Sequence, residues 1–306
     1  MTARVFISCG QRHGERKIAQ EIADQLRKDG FRPYIALEAQ SIQDVNSGII
    51  GELRRSDYYV FIDFRRESLC NEDGPNDHRG SLFSHQELAI AYALNFEKAI
   101  FFREAGVRLE GIGKFMMSNA TEFDDRSKLA ELVAKATARM WNAQYSRNLV
   151  VGQLHFPPNP IQTPSLLGRF LSVDILNRRP DEASAGALAR LAGLQVNEGE
   201  AKPSPNKSPL KVTGQAQAFQ QTILPKDHGA FDLLCVDYEP GSKIFLHNAL
   251  DVPHPPAIIE EVGLHHLDYE VFAPGFERLR FTVALQTTGE CASATATLVL
   301  DHDREA

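Results

Sequence analysis

The first half of the chain alternates short apolar runs with longer amphipathic ones. Runs rich in β-branched and aromatic residues predict four strands and a short fifth, at 4–8, 31–37, 58–64, 98–102 and within 114–123. Apolar residues spaced three and four apart predict helices between these strands, at 15–29, near 49–56, from 84 onwards and at 127–141. This alternation predicts an α/β domain over residues 1–145, with a flavodoxin-like parallel sheet covered on both faces. Pro33 places the second strand at an edge or in an irregular strand, because proline cannot donate to the sheet's hydrogen-bond ladder.

The pattern changes after residue 145. Residues 146–165 include the proline-rich run 155–160 and are expected to form a connector. Seven short alternating or β-branched runs follow, at 169–176, 187–196, 231–236, 243–246, 267–272, 279–285 and 294–300. They predict a second domain over 166–306, an antiparallel β-sandwich of immunoglobulin-like type. The run 187–196 also fits a helix, and the apolar-poor stretch near 197–212 is expected to be a mobile loop.

Charge and composition exclude several classes of protein. With 33 Lys and Arg against 40 Asp and Glu, the net charge is −7, which argues against general nucleic-acid or anionic-membrane binding. No apolar run approaches 18 residues, and the N-terminus has no signal-peptide pattern, so we expect a cytoplasmic protein without a membrane span. The four cysteines form no CxxC pair, and His265-His266 has no companion ligands, so neither a metal site nor a disulfide is expected.

Polar residues follow the predicted strands at the edge where parallel sheets bind ligands. They include Ser8, Cys9, Gly10 and Gln11 after the first strand, Asp44 after the second, Asp63, Arg65 and Arg66 at the end of the central one, and Arg103 after the fourth.

The helix after the central strand begins in the same region of the sheet. Ser84 and Glu87 have the spacing of a capping box, and this assignment needs no further role for either residue. A carboxylate that opens a buriable helix above the ligand edge is also how an enzyme directs an acid at its substrate. Both interpretations of Glu87 stay open on these residues alone.

Several segments of residues 1–145 resemble the Toll/interleukin-1 receptor (TIR) domain of the bacterial type. The segment 81–87, Ser-Leu-Phe-Ser-His-Gln-Glu, is similar to the family pattern Ser-x-Trp-Cys-x-x-Glu, with Phe83 at the Trp place and Ser84 at the Cys place. The opening strand Val-Phe-Ile-Ser at 5–8, the pair Gly-Phe at 30–31, the loop at 40–44 and the pair Ser-Asp at 56–57 also match. The chain departs from the family at 9–11, where Cys-Gly-Gln replaces the usual Tyr or His, and at 63–64, where Asp-Phe replaces a Ser-containing end.

The resemblance implies an enzyme that cleaves NAD⁺ as its substrate, with no cofactor and with Glu87 as the catalytic residue. It implies release of nicotinamide by hydrolysis or with cyclisation of ADP-ribose. The implied substrate-binding residues are Ser8, Cys9, Gly10, Gln11, Asp44, Phe64, Arg65, Arg66, Phe83 and Ser84. In these roles Gly10 lets the backbone approach a phosphate or ribose, the arginines meet the pyrophosphate, and Phe64 stacks on a ring.

The resemblance further implies an effector of bacterial anti-phage defence that self-associates through the TIR domain. By the same resemblance, the C-terminal domain binds an activating ligand or protein, or drives oligomerisation.

Two other interpretations of the function remain. Residues 77–93 have a faint likeness to nucleoside 2-deoxyribosyltransferases, which also place a Glu at the start of a helix after a central strand. A TIR-like module that only self-associates and signals would use no catalytic carboxylate.

Overall fold

The computed structural model of the protein describes residues 2–36, 48–69, 78–215, 217–241, 243–247 and 255–299. The chain divides into an N-terminal unit, Met1–Arg147, and a C-terminal unit, Asn148–Ala306. Each unit has its own apolar core. Among the described residues, no helix combines the length and apolar character that crossing a membrane requires.

The N-terminal unit is built from five strands and five helices within the described ranges. The strands are β1 Arg4–Ser8, β2 Arg32–Ile35, β3 Tyr58–Asp63, β4 Ala99–Glu104 and β5 Thr121–Phe123. The helices are α1 His13–Lys28, α2 Ile50–Arg55, α3 Leu82–Ala93, α4 Gly113–Met116 and α5 Leu129–Met140, with a 3₁₀ turn at Arg126–Lys128.

The five strands form one parallel sheet in the order β2-β1-β3-β4-β5. All six residues of the central strand β3 are buried, because helices cover both faces of the sheet. On one face, apolar strand side chains pack with α1 and α5. On the other, alternate strand residues such as Phe6 and Phe61 pack with Leu53 of α2 and with Leu88 and Ala91 of α3.

These elements confirm the predicted α/β class and the parallel sheet. The second strand lies at an edge of the sheet, as Pro33 indicates.

Helix α1 ends before Gly30, whose φ of 83° is a conformation that glycine adopts without strain. The backbone N–H of Phe31 then donates to the Leu26 carbonyl, which satisfies the helix end and turns the chain into β2.

A buried aspartate, Asp57, joins the first strand to the end of the unit. Its carboxylate accepts hydrogen bonds from the Arg4 backbone N–H, the Ser146 hydroxyl and the Arg147 backbone N–H, each at 2.9 Å. Trp141 packs nearby, its ring stacked on that of Tyr58 at a centroid distance of 4.2 Å. Since it is the chain's single tryptophan, its fluorescence reports on the N-terminal unit.

The C-terminal unit contains eleven strands within the described ranges and a 3₁₀ turn at Cys291–Ser293. The strands are β6 Leu149–His155, β7 Ile161–Gln162, β8 Leu167–Asn177, β9 Ser184–Val196, β10 Lys202–Pro203, β11 Gln221–Ile223, β12 His228–Asp237, β13 Ile244–Phe245, β14 Gly263–Phe272, β15 Leu279–Thr287 and β16 Thr295–Val299. One antiparallel sheet has the order β10-β9-β14-β15-β16, with β11 also paired to β9. The other has the order β13-β12-β8-β6, with β7 also paired to β8. Apolar residues of both sheets share one core cluster.

The structure bears on three expectations for this half. The run 187–196 is part of strand β9, which confirms the predicted strand and excludes the helix alternative, because its alternate residues enter the core. The expected connector 146–165 holds strands β6 and β7, and its proline-rich part is fixed by Arg169, whose guanidinium donates to the carbonyls of Phe156 and Pro157. The expected mobile loop near 197–212 is anchored, since Leu210 and Val212 are buried in the core.

We predict that Asp57→Ala destabilises the N-terminal unit by about 3 kcal/mol, because it leaves buried hydrogen-bond donors without an acceptor. Asp57→Asn keeps one carbonyl oxygen and should cost less. Urea denaturation followed by Trp141 fluorescence measures the effect. Asp24→Ala, which removes an exposed carboxylate paired with Arg27, is the matched control and should change little. Equal stability of Asp57→Ala and Asp24→Ala would contradict the prediction.

Candidate active site

The carboxyl ends of β1 and β3 meet the start of helix α3 at one edge of the parallel sheet. Strand β1 ends at Ser8 and β3 ends at Asp63, and these two strands are neighbours. Helix α3 begins at Leu82 and lies on the face that includes Phe61. Side chains from all three elements are therefore brought together where parallel sheets bind ligands.

The start of α3 is fixed by Asp63. The Asp63 carboxylate accepts a hydrogen bond from the Ser81 backbone N–H at 3.2 Å and lies 2.8 Å from His85 Nε2. This bond raises the pKa of His85 above its usual value, although burial acts in the opposite direction. Both contacts hold the first turn of the helix against the end of the central strand.

The predicted capping box of Ser84 and Glu87 is wrong. Ser81 is the N-cap, and its hydroxyl accepts from the Ser84 backbone N–H at 3.4 Å. The helix therefore begins three residues earlier than the sequence pattern indicates, because Asp63 binds the chain at Ser81. Glu87 lies in the second turn and is not needed to cap the helix.

The carboxylate of Glu87 faces the end of β1. The Ser8 hydroxyl donates a hydrogen bond of 2.5 Å to Glu87 Oε2, and only 8% of Glu87 is exposed. Burial raises the pKa of Glu87 from 4.5 to about 7, and the bond from Ser8 opposes that rise only in part. Burial, and next the nearby Glu87 carboxylate, also raise the pKa of Tyr59 well above its usual value. Glu87 is therefore poised to exchange a proton near neutral pH.

Other buried carboxylates of this edge have a cationic partner. Glu15 binds Arg66 at 2.7 Å, Asp63 binds His85, and Glu104 binds Arg65 and Arg126. Within the described part of the chain, the hydrogen-bond partner of the Glu87 carboxylate is a neutral hydroxyl. Among the described residues, the Glu87 carboxylate therefore has no compensating cation in contact with it, which is a common feature of catalytic carboxylates.

The residues that follow β1 occupy three different environments. Cys9 is buried in the core, where burial raises its thiol pKa to about 12. Gly10 lies under the Glu15–Arg66 ion pair. Gln11 donates from its side-chain nitrogen to the Ala36 carbonyl. Of these residues and Ser8, the hydroxyl of Ser8 is the group in contact with Glu87.

The residues that follow β3 are engaged within the protein. Phe64 is fully buried, with its ring against Phe123 and under the guanidinium of Arg126, so the expected stacking on a ligand ring is not available to it. Arg65 donates to Glu104, while Arg66 donates to Glu15.

The last three predicted site residues differ in how the structure places them. Phe83 is 68% exposed at the start of α3. The hydroxyl of Ser84 is buried one turn before Glu87 and has no hydrogen-bond partner among the residues that the structure describes. Asp44 lies outside the described residues.

Two residues of this site were missed by the sequence analysis. Glu15 occupies the third position of α1, where it accepts from the Arg12 backbone N–H at 2.9 Å, and it also holds Arg66. An acid at the first residue of the predicted helix 15–29 was the available signal. Asp63 is placed by the sequence at the ligand edge of the sheet and as a departure from the family pattern, but without a role, although a carboxylate that ends a buried strand often has a buried partner.

The described residues contain no group of three or more His, Cys, Asp or Glu side chains that could hold a metal ion.

We predict that Glu87→Gln becomes more stable relative to the wild type as pH rises. The pKa of Glu87 is raised in the folded state, so folding binds a proton between about pH 4.5 and 7, and wild-type stability is lost across that window. The amide does not titrate, so the stability difference between the two proteins should shift by about 2 kcal/mol from pH 5 to pH 8 in favour of Glu87→Gln. Urea midpoints from Trp141 fluorescence at both pH values measure this.

Glu131→Gln is the control for that comparison, because Glu131 is an exposed carboxylate of the same unit, paired with Lys135. It should show no gain at pH 8. A parallel pH dependence of the wild type and Glu87→Gln would contradict the raised pKa.

The sequence matches no protein-family model and no curated protein, and neither comparison therefore identifies a TIR domain. Among solved structures, a selenomethionine-labelled β-glucosidase from Kluyveromyces marxianus is similar at 9% identity and a TM-score of 0.22, over 80% of this chain and 35% of that one. The glucose complex of β-glucosidase from Kluyveromyces marxianus gives 8% identity and a TM-score of 0.21, over 87% and 34%. The chain spans about a third of the length of those structures. Likeness at this level indicates neither a shared fold nor a shared activity.

Proposed function

We propose that the protein is a TIR-type NAD⁺ glycohydrolase in which Glu87 is the catalytic residue. The observation that carries this proposal is the buried Glu87 carboxylate at the ligand edge of a parallel sheet, bonded to Ser8 and without a cationic partner among the described residues. The arrangement of the sheet and of helix α3 agrees with the TIR resemblance of segment 81–87. An antiparallel, immunoglobulin-like second domain remains part of this proposal.

The chemistry requires one carboxylate. In NAD⁺ the bond between ribose C1′ and the nicotinamide nitrogen breaks, and its electron pair goes to that nitrogen, so nicotinamide leaves as a neutral molecule. No acid has to protonate it, unlike the leaving group of an ordinary glycoside. The ribose is left as an oxocarbenium-like cation, which an ionised Glu87 stabilises. Water then adds to C1′ and releases a proton, giving ADP-ribose; attack by the adenine instead gives the cyclic product.

We further propose that the protein acts as an anti-phage effector that self-associates through the N-terminal unit. Exposed apolar side chains on α3, at Leu82, Phe83 and Tyr92, support an association surface close to Glu87.

For the C-terminal unit we propose that it binds an activating ligand or protein. A groove of about 460 Å³ there is bordered by charged side chains that include Lys202, Glu270 and Arg280.

A nucleoside 2-deoxyribosyltransferase-like activity is the second candidate. It too needs a carboxylate that acts on a ribosyl carbon, but its leaving nucleobase must be protonated. The Asp63–His85 pair favours this candidate, because the raised pKa of His85 keeps a proton available two residues before Glu87. The two candidates differ in substrate and are separated by the same assay.

We predict that the wild-type protein converts NAD⁺ to nicotinamide and ADP-ribose or its cyclic form, and that Glu87→Gln lowers the rate at least about 100-fold. The rate is measured by chromatography of the products over a range of protein concentrations, because self-association would raise activity. Glu131→Gln is the control and should keep the wild-type rate. Deoxynucleosides with an acceptor base are tested in parallel. Transfer of deoxyribose without NAD⁺ cleavage would favour the second candidate, and equal NAD⁺ cleavage by Glu87→Gln would overturn the catalytic role of Glu87.

We predict that kcat/KM for NAD⁺ increases with pH along a single limb with an apparent pKa near 7. The carboxylate has to be ionised to stabilise the ribosyl cation, and burial raises the pKa of Glu87 to about 7. Initial rates between pH 5 and 9 at constant ionic strength measure the profile. A rate that increases towards acid pH would mean that a protonated group drives cleavage.

A further inference from the structure

The ion pair of Glu15 and Arg66 covers the backbone of Gly10, at the turn after strand β1. A Cβ atom added at Gly10 would lie 2.1 Å from Glu15 Oε2 and 2.4 Å from Arg66 Nη2. The two charged groups themselves are 2.7 Å apart. The ion pair therefore fills the space above the glycine, where a ligand would approach the end of β1.

This ion pair is nearly enclosed and only partly satisfied. Glu15 is 1% exposed and the Arg66 side chain 17%. Glu15 Oε1 and Arg66 Nε are both buried without a hydrogen-bond partner in the described part of the chain. An ion pair with spare donors and acceptors can exchange partners, because an arginine can bind an oxyanion through two N–H groups at once.

The same charges surround the candidate active site. The Glu87 carboxylate accepts a hydrogen bond from Ser8, and Glu15 and Arg66 lie over Gly10, two residues further along the chain. Two carboxylates and one guanidinium are thus close to the end of β1. A pyrophosphate that enters here is attracted by Arg66 and repelled by Glu15.

We propose that Arg66 is the pyrophosphate-binding residue of this site and that Glu15 masks it until a ligand takes its place. The inference rests on the proposed function for its substrate. Binding exchanges the Glu15–Arg66 contact for an Arg66–pyrophosphate contact. Glu15 keeps its hydrogen bond to the Arg12 backbone N–H, which caps helix α1. Glu15 therefore sets the affinity of the site without contacting the reacting atoms.

Glu15→Gln separates the two roles of Glu15. The amide oxygen still accepts from Arg12, so the helix cap remains, but the negative charge that holds Arg66 is removed. We expect Glu15→Gln to bind ADP-ribose roughly tenfold more tightly than the wild type in calorimetric titration of the full chain. Nicotinamide riboside has no pyrophosphate, and its affinity should not increase.

The matched control is Glu52→Gln. Glu52 is a partly buried carboxylate that pairs with Arg4, at the opposite end of strand β1. The Glu52→Gln substitution changes the net charge by the same amount as Glu15→Gln. The affinity of the Glu52→Gln protein for ADP-ribose should equal that of the wild type. The double variant Glu15→Gln/Arg66→Gln removes both charges of the pair and should lose the gain and fall below the wild type. It also serves as the test if a single variant fails to fold by Trp141 fluorescence.

Each outcome decides the proposal. Tighter ADP-ribose binding by Glu15→Gln that depends on Arg66 supports it. Unchanged or weaker binding by a folded Glu15→Gln, equal gains in Glu52→Gln, or no ADP-ribose binding by any variant overturns it. ADP-ribose contains no bond to nicotinamide, so its binding does not require cleavage. A protein that binds it as expected and leaves NAD⁺ intact would overturn the proposed activity alone.

Discussion

The burial of the Glu87 carboxyl against the Ser8 hydroxyl is the interaction on which the functional interpretation depends. An ionised carboxylate that lacks a cation is unfavourable in a buried position, and one hydroxyl replaces only part of its hydration. A structural role would be served better by an amide or an apolar side chain of similar size. The chain instead keeps an acid whose protonation is balanced near neutral pH, at the edge of the sheet where ligands bind. Such a cost to stability is typical of residues retained for chemistry.

The position of Glu87 depends in turn on Asp63. This carboxylate ends the central strand and binds both the Ser81 N–H and the His85 ring, so it fixes where helix α3 begins. The preceding chain passes so close that a Cβ at Gly80 would lie 1.9 Å from Asp63 Oδ1. A side chain at position 80 would displace the loop, the helix start and then Glu87. Asp63 therefore positions the candidate catalytic residue through the backbone.

Much of the fold could be predicted from the sequence, because burial imposes a period on each element. The fully apolar run at β3 indicates a strand covered on both faces, and Pro33 indicates an edge. Strand β6 and the packed segment around Leu210 could not be predicted in the same way. Their order depends on distant partners, namely the long pairing of β6 with β8 and the backbone bond from Leu210 to Ala189.

The candidate site shows the same limit at the level of single side chains. Local spacing places Glu87 at the start of a helix but assigns it to a cap, because Ser84 stands three residues before it. The distinction between Ser81 and Ser84 as the N-cap is made by Asp63, which is 18 residues away from Ser81 in sequence. The ion pair of Glu15 and Arg66 joins residues 51 positions apart. Long-range ion pairs of this kind leave no periodic signal, so the arginines after β3 were predicted from sequence as ligand contacts and not as partners of acids.

The distribution of charge at the end of β1 matches a ligand that carries both signs. On the proposed function, NAD⁺ brings a cationic nicotinamide riboside and an anionic pyrophosphate, while the site has the carboxylate of Glu87 beside Ser8 and the guanidinium of Arg66 over Gly10. Cleavage passes the positive charge from the nicotinamide to the ribosyl cation, and the addition of water releases it as a proton, so the product carries only the anionic pyrophosphate. The ionised Glu87 then no longer has an opposite charge to stabilise, whereas the pyrophosphate that faces Arg66 is the same in substrate and product. On the proposed function, the change at Glu87 therefore weakens the hold on ADP-ribose relative to NAD⁺ and favours release of the product.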